Sequence, residues 1–143
     1  MHLRLSIVKL IGELQMQLID FEDVPEGRFY VTEDGRVWDS KRERWLVQTR
    51  APLANGKPGY VSVGFMIGSK VKRKYVHRLV AHAYCSNPRH APEVNHIDGD
   101  KTNNRASNLE WVTKSENHLH AYKLGLKHNP ITYALLALPH WLR

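Results

Sequence analysis

The spacing of hydrophobic positions changes along the chain. Leu3, Ile7, Leu10, Ile11, Leu14 and Leu18 recur every three or four residues, which predicts an amphipathic helix over residues 2–19. The expected role of this helix is packing on the core. Residues 20–27 (DFEDVPEG) break that period as an acidic loop. Residues 28–76 carry β-type runs instead. Residues 29–31 and 36–38 flank a Glu33-Asp34-Gly35 turn, and residues 45–47 supply a third short strand. A Gly/Pro loop at 55–59 leads into a longer strand at 60–67, and Gly68 and Ser69 turn it into the basic run 70–76. Residues 77–84 suit a short helix with Leu79, Val80 and Ala83 inward, ended by the Asn/Pro segment 87–92.

Beyond it, residues 94–96 end a strand, Asp98-Gly99-Asp100 make a tight turn, and residues 109–112 return as a second strand. Thr113 and Glu116 have the spacing of a capping box, and Gly125 suits a helix C-terminus, so a helix spans about 114–124. The pattern as a whole is α+β, a small antiparallel β region followed by a strand–loop–strand–helix unit. Four segments are expected: the helix at 1–20, a basic β module at 21–78, the strand–loop–strand–helix motif at 79–126, and a tail at 127–143. The apolar run 131–138 in that tail suits packing against the N-terminal helix or association.

Composition narrows the functional classes. With 42% hydrophobic residues, 24% charged and a single cysteine, the 143-residue chain suits a modest core, and it has no internal disulfide or thiolate zinc site. It holds no run near the roughly 18 apolar residues that span a membrane. Lys9 and Glu13 interrupt the N-terminal leucines, so a signal peptide is not expected. The formal charge of +7 is unevenly placed: residues 1–35 hold 3 basic and 7 acidic side chains, residues 36–78 hold 11 and 2, and residues 79–143 hold 7 and 5. A localised positive patch is the footprint of a polyanion binder. In the run 70–76, Lys70, Lys72, Arg73 and Lys74 could follow a phosphate backbone together with Arg78. An edge strand charged against aggregation reads the same way.

Candidate chemistry concentrates in residues 94–117 (VNHIDGDKTNNRASNLEWVTKSEN). A strand–loop–strand–helix path would bring Asn95 and His96 to Asn117 in the first helical turn. Asn103, Asn104 and Asn108 fall in the loop, His120 shares the face of Asn117, and His118 points about 100° away. One metal ion and one activated water facing a phosphate would suit these residues. Asp98 and Asp100 are explained by turn formation. His77, His82 and His90 share no ligand spacing, so surface or capping roles are expected.

The segments "NHIDGDKTNN", "NLEWVT", "SEN" and "HAYKLGL" resemble the ββα-metal (His-Me finger) motif of HNH endonucleases, in the version of phage and intron-encoded homing enzymes. The upstream "VHRLVAHAY" and "YVTEDGRVWDS" resemble the segments that precede the motif there, so the likeness runs over about residues 29–126. It implies a metal-dependent DNA endonuclease that hydrolyses phosphodiester bonds and nicks double-stranded DNA. In it His96 would be the general base, and Asn108 would orient His96 through the hairpin. Asn95 and Asn117 would be metal ligands, with His120 a third ligand or a phosphate contact. Where relatives often carry aspartate, Asn95 brings no charge, so DNA phosphate would complete the metal shell. The implied cofactor is one divalent ion, Mg2+ or Mn2+, and the implied setting is a bacterial cytoplasm, with the chain acting as a monomer or weak homodimer. Such relatives often carry a C-terminal helical DNA-reading module; this chain lacks room for one, so limited sequence preference is expected. A non-catalytic DNA-binding protein with a decayed site would keep the basic patch without needing His96 and Asn117 together. A structural zinc domain would need cysteine pairs that the sequence lacks.

Overall fold

A computed structural model describes residues 13, 15–21, 23–127, 139 and 141. Three antiparallel sheets surround one central helix. The first sheet runs β1 (Gln17–Leu18), β2 (Phe29–Val31), β3 (Val37–Asp39) and β4 (Arg44–Trp45) in that order. The second places β6 (Pro58–Ile67) between β5 (Gln48–Pro52) and β7 (Lys70–Tyr75). The third pairs β8 (Glu93–His96) with β9 (Leu109–Val112). Helix α1 (Val76–Tyr84) follows β7 without a break, and α2 (Lys114–Lys123) follows β9. The fold is α+β, as the sequence predicts.

Helix α1 is the element the sheets share. Val76, Leu79, Val80 and Ala81 pack with Phe29, Val31 and Val37 of the first sheet, Val63 and Phe65 of the second, and Val94 and Leu109 of the third. The Phe29 and Phe65 rings meet edge to face at 4.7 Å. Each such fully buried apolar side chain contributes about 1.5–3 kcal/mol, so one cluster fixes all three sheets against α1. A bidentate ion pair adds a polar tie: Arg28 Nε and Nη2 donate to Asp39 at 2.9 and 2.8 Å, and Arg28 Nη1 reaches Met66 O at 3.1 Å. Burial pushes the Asp39 carboxyl up, but the guanidinium and the backbone donors of Lys41 and Arg42 outweigh it and hold it below the usual carboxylate range.

The expected helix over residues 2–19 falls mostly outside the described residues, but its end is corrected. Gln17 and Leu18 form a strand, opposite Val31 and Tyr30. The free edge of β2 supplies backbone partners there, and this tertiary pairing overrides helical spacing. Of the expected strand at 45–47 only Trp45 is in a strand, as the end of β4, and a separate β5 begins at Gln48. Val47, between them, is 81% exposed. Strand β5 (QTRAP) is exposed throughout and lacks apolar alternation, so no periodicity announced it. The expected helix at 77–84 begins one residue earlier, and His77, expected at the surface, is buried at 5% exposure. His82 and His90 are exposed. The apolar run 131–138 lies outside the described residues. Among the described residues no helix is long and apolar enough to cross a membrane.

Candidate active site

The ββα unit is built as its sequence directs. In the β8–β9 ladder Asn95 stands opposite Glu110 and His96 opposite Leu109. Alternation along β8 turns Val94 and His96 to the core side and Glu93 and Asn95 to the other. Thr113 caps α2: its side chain accepts from Glu116 N, while Glu116 Oε2 accepts from Thr113 N at 2.8 Å. Gly125 follows the helix at φ +68°, a left-handed residue that ends it.

The long loop between the strands is knitted by its own polar side chains. Asn108 Nδ2 donates to Asp98 Oδ1 and to Asn103 O, both at 2.9 Å, and its Oδ1 accepts from Asp98 N at 3.1 Å. Asn103 Nδ2 donates to Asp98 Oδ2 at 2.7 Å, and Asp98 Oδ1 also accepts from Asp100 N at 2.8 Å. The donation from Asn103, helped by that from Asn108, holds the Asp98 carboxyl below its ordinary range. Asp98 is thus spent on loop closure. Asn108 reaches His96 only through this loop and through its carbonyl, which accepts from Ile97 N at 2.9 Å.

The direct partner of His96 is a residue that sequence reasoning placed only in the turn. His96 Nε2 lies 2.9 Å from Asn104 Oδ1. An amide oxygen only accepts, so Nε2 carries the hydrogen and Nδ1 is the unprotonated nitrogen. Burial drives the His96 pKa below the ordinary histidine value, against the raising influence of Asn104, Asp98 and Asp100, so the ring is neutral at neutral pH. Two rings lie against it, Tyr60 stacked at 5.9 Å and His77 tilted at 5.0 Å, and Tyr75 in turn stacks on His77 at 5.6 Å. His77 is itself pushed down to about 3, first by burial and then by His96, Arg78 and Lys101, so it adds no charge beside His96. The β2–β3 turn supports Asn104 from behind. Gly35, at φ +93°, sits so close that an added Cβ would come 3.0 Å from Val76 and 3.3 Å from Asn104.

Asn95, His96, Asn117 and His120 line one pocket of about 170 Å³ together with Tyr60, Lys101 and His118. The fold therefore gathers residues that the sequence separates by more than twenty positions, and includes His118, expected to point away from the face of Asn117. Asn117 Nδ2 donates to Glu93 Oε2 at 2.6 Å, and Asn95 Nδ2 donates to Glu110 Oε1 at 2.8 Å. Each amide oxygen stays out of these bonds. Amide oxygens are hard donors that fit a magnesium- or manganese-type ion, and imidazole is tolerated beside them. Among the described residues no three His, Cys, Asp or Glu side chains gather as a metal cluster. The donor set thus fits a hard ion whose shell is completed by water or phosphate. Cys85, half-buried beside the Ala106 and Leu109 carbonyls at 3.6 Å, is a packing residue.

A second cleft, of about 520 Å³, shares Tyr60 with this pocket and is lined by Arg73, Lys74 and Arg78 with Tyr75, Ser62 and Phe21. The expected DNA-contacting residues divide between two faces of β7. Lys70, Lys72 and Lys74 stand opposite Ile67, Phe65 and Val63, whereas Arg73 stands opposite Gly64 on the other face. Lys72 is paired with Asp23 at 3.1 Å, and Lys74 lies 5.1 Å over the Phe21 ring. Arg73 Nη1 donates to Thr49 Oγ1 at 2.8 Å, and Arg78 Nη2 to Pro92 O at 3.1 Å. Nearer His96, Lys101 Nζ sits 4.6 Å over the Tyr60 ring.

Glu93, Glu110, Asn104, Tyr60 and Lys101 are the site residues that sequence reasoning missed. Glu93 and Asn95 were readable as one strand face, two residues apart. Asn104 and Tyr60 arrive from elements whose pairing with His96 only the fold reveals.

Residues 74–119 match a family model described as HNH endonuclease. The chain is 38% identical over 106 residues to a SPbeta prophage-derived putative HNH homing endonuclease, YosQ, of Bacillus subtilis, covering 73% of this chain and 58% of that protein. It is 38% identical over 92 residues to the DNA endonuclease I-HmuI of Bacillus phage SP01, covering 64% and 50%. An uncharacterised HNH endonuclease of Acanthamoeba polyphaga mimivirus is 37% identical over 99 residues, covering 69% and 28%. A solved structure described as DNA binding and cleavage by the HNH homing endonuclease I-HmuI matches with a TM-score of 0.61 and 31% identity, over 77% of this chain and 60% of that one. The chain spans less than two thirds of the length of each of these relatives. Residues 74–119, which hold the strand–loop–strand–helix unit that gathers Asn95, His96 and Asn117, thus match the HNH endonuclease family, and the likeness to HNH homing endonucleases extends over about two thirds of the chain.

Proposed function

We propose that this chain is a metal-dependent endonuclease that hydrolyses phosphodiester bonds and nicks double-stranded DNA. The observation that carries the reading is a buried, neutral His96 held by Asn104 at 2.9 Å, in the wall of the pocket that Asn95 and Asn117 share. The relatives named as HNH homing endonucleases support the substrate class.

His96 Nδ1 takes the proton from the attacking water, while Nε2–H, bonded to Asn104, fixes the tautomer. Asn108 keeps the loop closed around Asp98 and so keeps Asn104 and His96 in register. Asn95 and Asn117 would hold one divalent ion, Mg2+ or Mn2+, with His120 as a third contact. When bound, that ion polarises the scissile phosphate and stabilises the leaving oxygen. Lys101, over Tyr60 and beside the pocket, presents a positive charge to the same phosphate.

The flanking DNA lies along the basic β module, with Lys70, Lys72, Arg73, Lys74 and Arg78 contacting phosphates without reading sequence. Tyr60, common to both recesses, joins the cutting pocket to the cleft of Arg73 and Arg78. One such site per chain, working as a monomer or weak homodimer, cuts one strand per encounter. Phage and prophage relatives support action in the cytoplasm of a bacterial host.

Supercoiled plasmid incubated with Mg2+ or Mn2+ tests the reading. Conversion to open circles that a chelator stops is expected. Plasmid binding without conversion under any divalent ion would favour a decayed, DNA-binding protein.

A further inference from the structure

Two hydrogen bonds behind the pocket have the same form. Asn117, on α2, donates its Nδ2 to Glu93 on β8, and Asn95, on β8, donates its Nδ2 to Glu110 directly across on β9. A primary amide has two chemically opposite ends, a donating nitrogen and an accepting oxygen, and a half-turn exchanges them. An ionised carboxylate only accepts. Each glutamate therefore decides which end of its asparagine is tethered, and the oxygen is the end left over. Flipped the other way, the amide would offer an N–H dipole to a cation and repel it.

Charge points the same way. Asn95 and Asn117 are neutral, so by themselves they give a dication no counter-charge. Among the described residues neither Glu93 nor Glu110 stands in an ion pair with a lysine or arginine, unlike Asp23, Asp34, Asp39 and Glu116. Two carboxylates outside any of these ion pairs thus stand one hydrogen bond behind the two amides. Partners behind a metal ligand orient it and raise its donor strength, and their loss typically costs about 10- to 100-fold in affinity.

We propose that Glu93 and Glu110 are positioning residues for the divalent-cation site. They hold the amides of Asn117 and Asn95 with oxygen toward the ion, and they supply from behind the charge that the asparagines lack. The inference rests on the reading that Asn95 and Asn117 hold the ion. It also explains how asparagine can serve where an aspartate would bring its own charge: Glu110 stands directly opposite on the neighbouring strand.

The test is a Mn2+ titration followed by electron paramagnetic resonance, on the full chain in a His96→Ala background with a short DNA duplex, so that the duplex is not consumed. Glu93→Gln and Glu110→Gln keep the shape but can donate as well as accept, so each frees its amide to flip and removes one charge. Each is expected to weaken Mn2+ binding about 10-fold, with thermal midpoint and metal-free duplex affinity unchanged. The decisive variant is Asn95→Asp combined with Glu110→Gln. Its carboxylate needs no orienting and carries its own charge, so Mn2+ affinity should return to the starting value or better. Unchanged Mn2+ affinity in both glutamine variants, while Asn95→Ala and Asn117→Ala abolish binding, would overturn the proposal and leave the metal-site reading standing. Unchanged binding in the two alanine variants would overturn the metal-site reading itself. Weakening without rescue by Asn95→Asp would reduce Glu110 to a general structural role and overturn its part of the proposal.

Discussion

Asn104 Oδ1 stands 2.9 Å from His96 Nε2, a contact that favours the tautomer with its hydrogen on Nε2. The oxygen accepts the Nε2 hydrogen, so Nδ1 keeps its lone pair. Burial lowers the pKa of His96, so the acid limb of kcat/KM should fall below the ordinary histidine value of about 6.5. Asn104→Ala should lower kcat by about 10- to 100-fold through loss of the tautomer. Asn104→Asp, placing a carboxylate against the ring, should move the acid limb to higher pH. A pH–rate series on the three proteins checks this; a wild-type limb above 6.5, or an unmoved limb in Asn104→Asp, contradicts it.

The support behind Asn104 predicts an effect at a distance from the pocket. Gly35 has φ +93° and lies against Val76 and Asn104. Gly35→Ala should cost about 1–3 kcal/mol, from the left-handed backbone and the crowding of α1. It should also lower kcat in the direction of Asn104→Ala. Urea unfolding and single-turnover rates report the two effects separately. Full stability, or lost stability with unchanged kcat at a temperature where the variant is folded, would show that the β2–β3 turn does not position the site.

His77 makes the fold acid-sensitive. Its folded pKa of about 3 lies below the unfolded value near 6.5. Between those limits the unfolded chain binds a proton that the folded chain refuses, so stability falls as pH drops. The slope from this group approaches about 1.4 kcal/mol per pH unit, and its stabilising share is fully present only above about pH 6.5. His82 and His96 are lowered too and act with the same sign. His77→Phe should lose less stability than wild type between pH 6.5 and 4.5. Equal slopes in chemical denaturation would rule out His77 as the cause.

The basic strand should not act uniformly. Lys72 is already paired with Asp23, whereas Arg73 lines the cleft that joins the pocket at Tyr60. Removing one phosphate contact lowers the salt slope of DNA binding by about 0.9. Arg73→Gln should show that change in fluorescence anisotropy across a salt series, and Lys72→Gln a smaller one. The reverse order would place the DNA on the opposite face of β7.

How far the sequence could be read depended on whether a signal was local. The capping box of Thr113 and Glu116, the glycine after α2 and the Asp98 turn are written within a few residues, and all stand where expected. Strand β5 was invisible because its residues are exposed and carry no apolar alternation; only pairing with β6 makes it a strand. His77 was misplaced at the surface because nothing near it in sequence shows that Tyr60, Tyr75 and His96 close over it. The pocket was half legible. The positions of Asn95, His96 and Asn117 were readable, but their hydrogen-bond partners, Asn104, Glu110 and Glu93, come through tertiary contacts.

If His96 activates the water that cuts DNA, removing its ring should remove cutting and leave binding. The most direct measurement compares single-turnover nicking of supercoiled plasmid by wild type and His96→Ala in saturating Mg2+ or Mn2+, with matched circular dichroism and matched plasmid binding. A loss of about 10²- to 10⁴-fold in nicking rate, with binding retained, is the predicted result. Undiminished nicking by His96→Ala, or no nicking by wild type under either ion, would contradict the account.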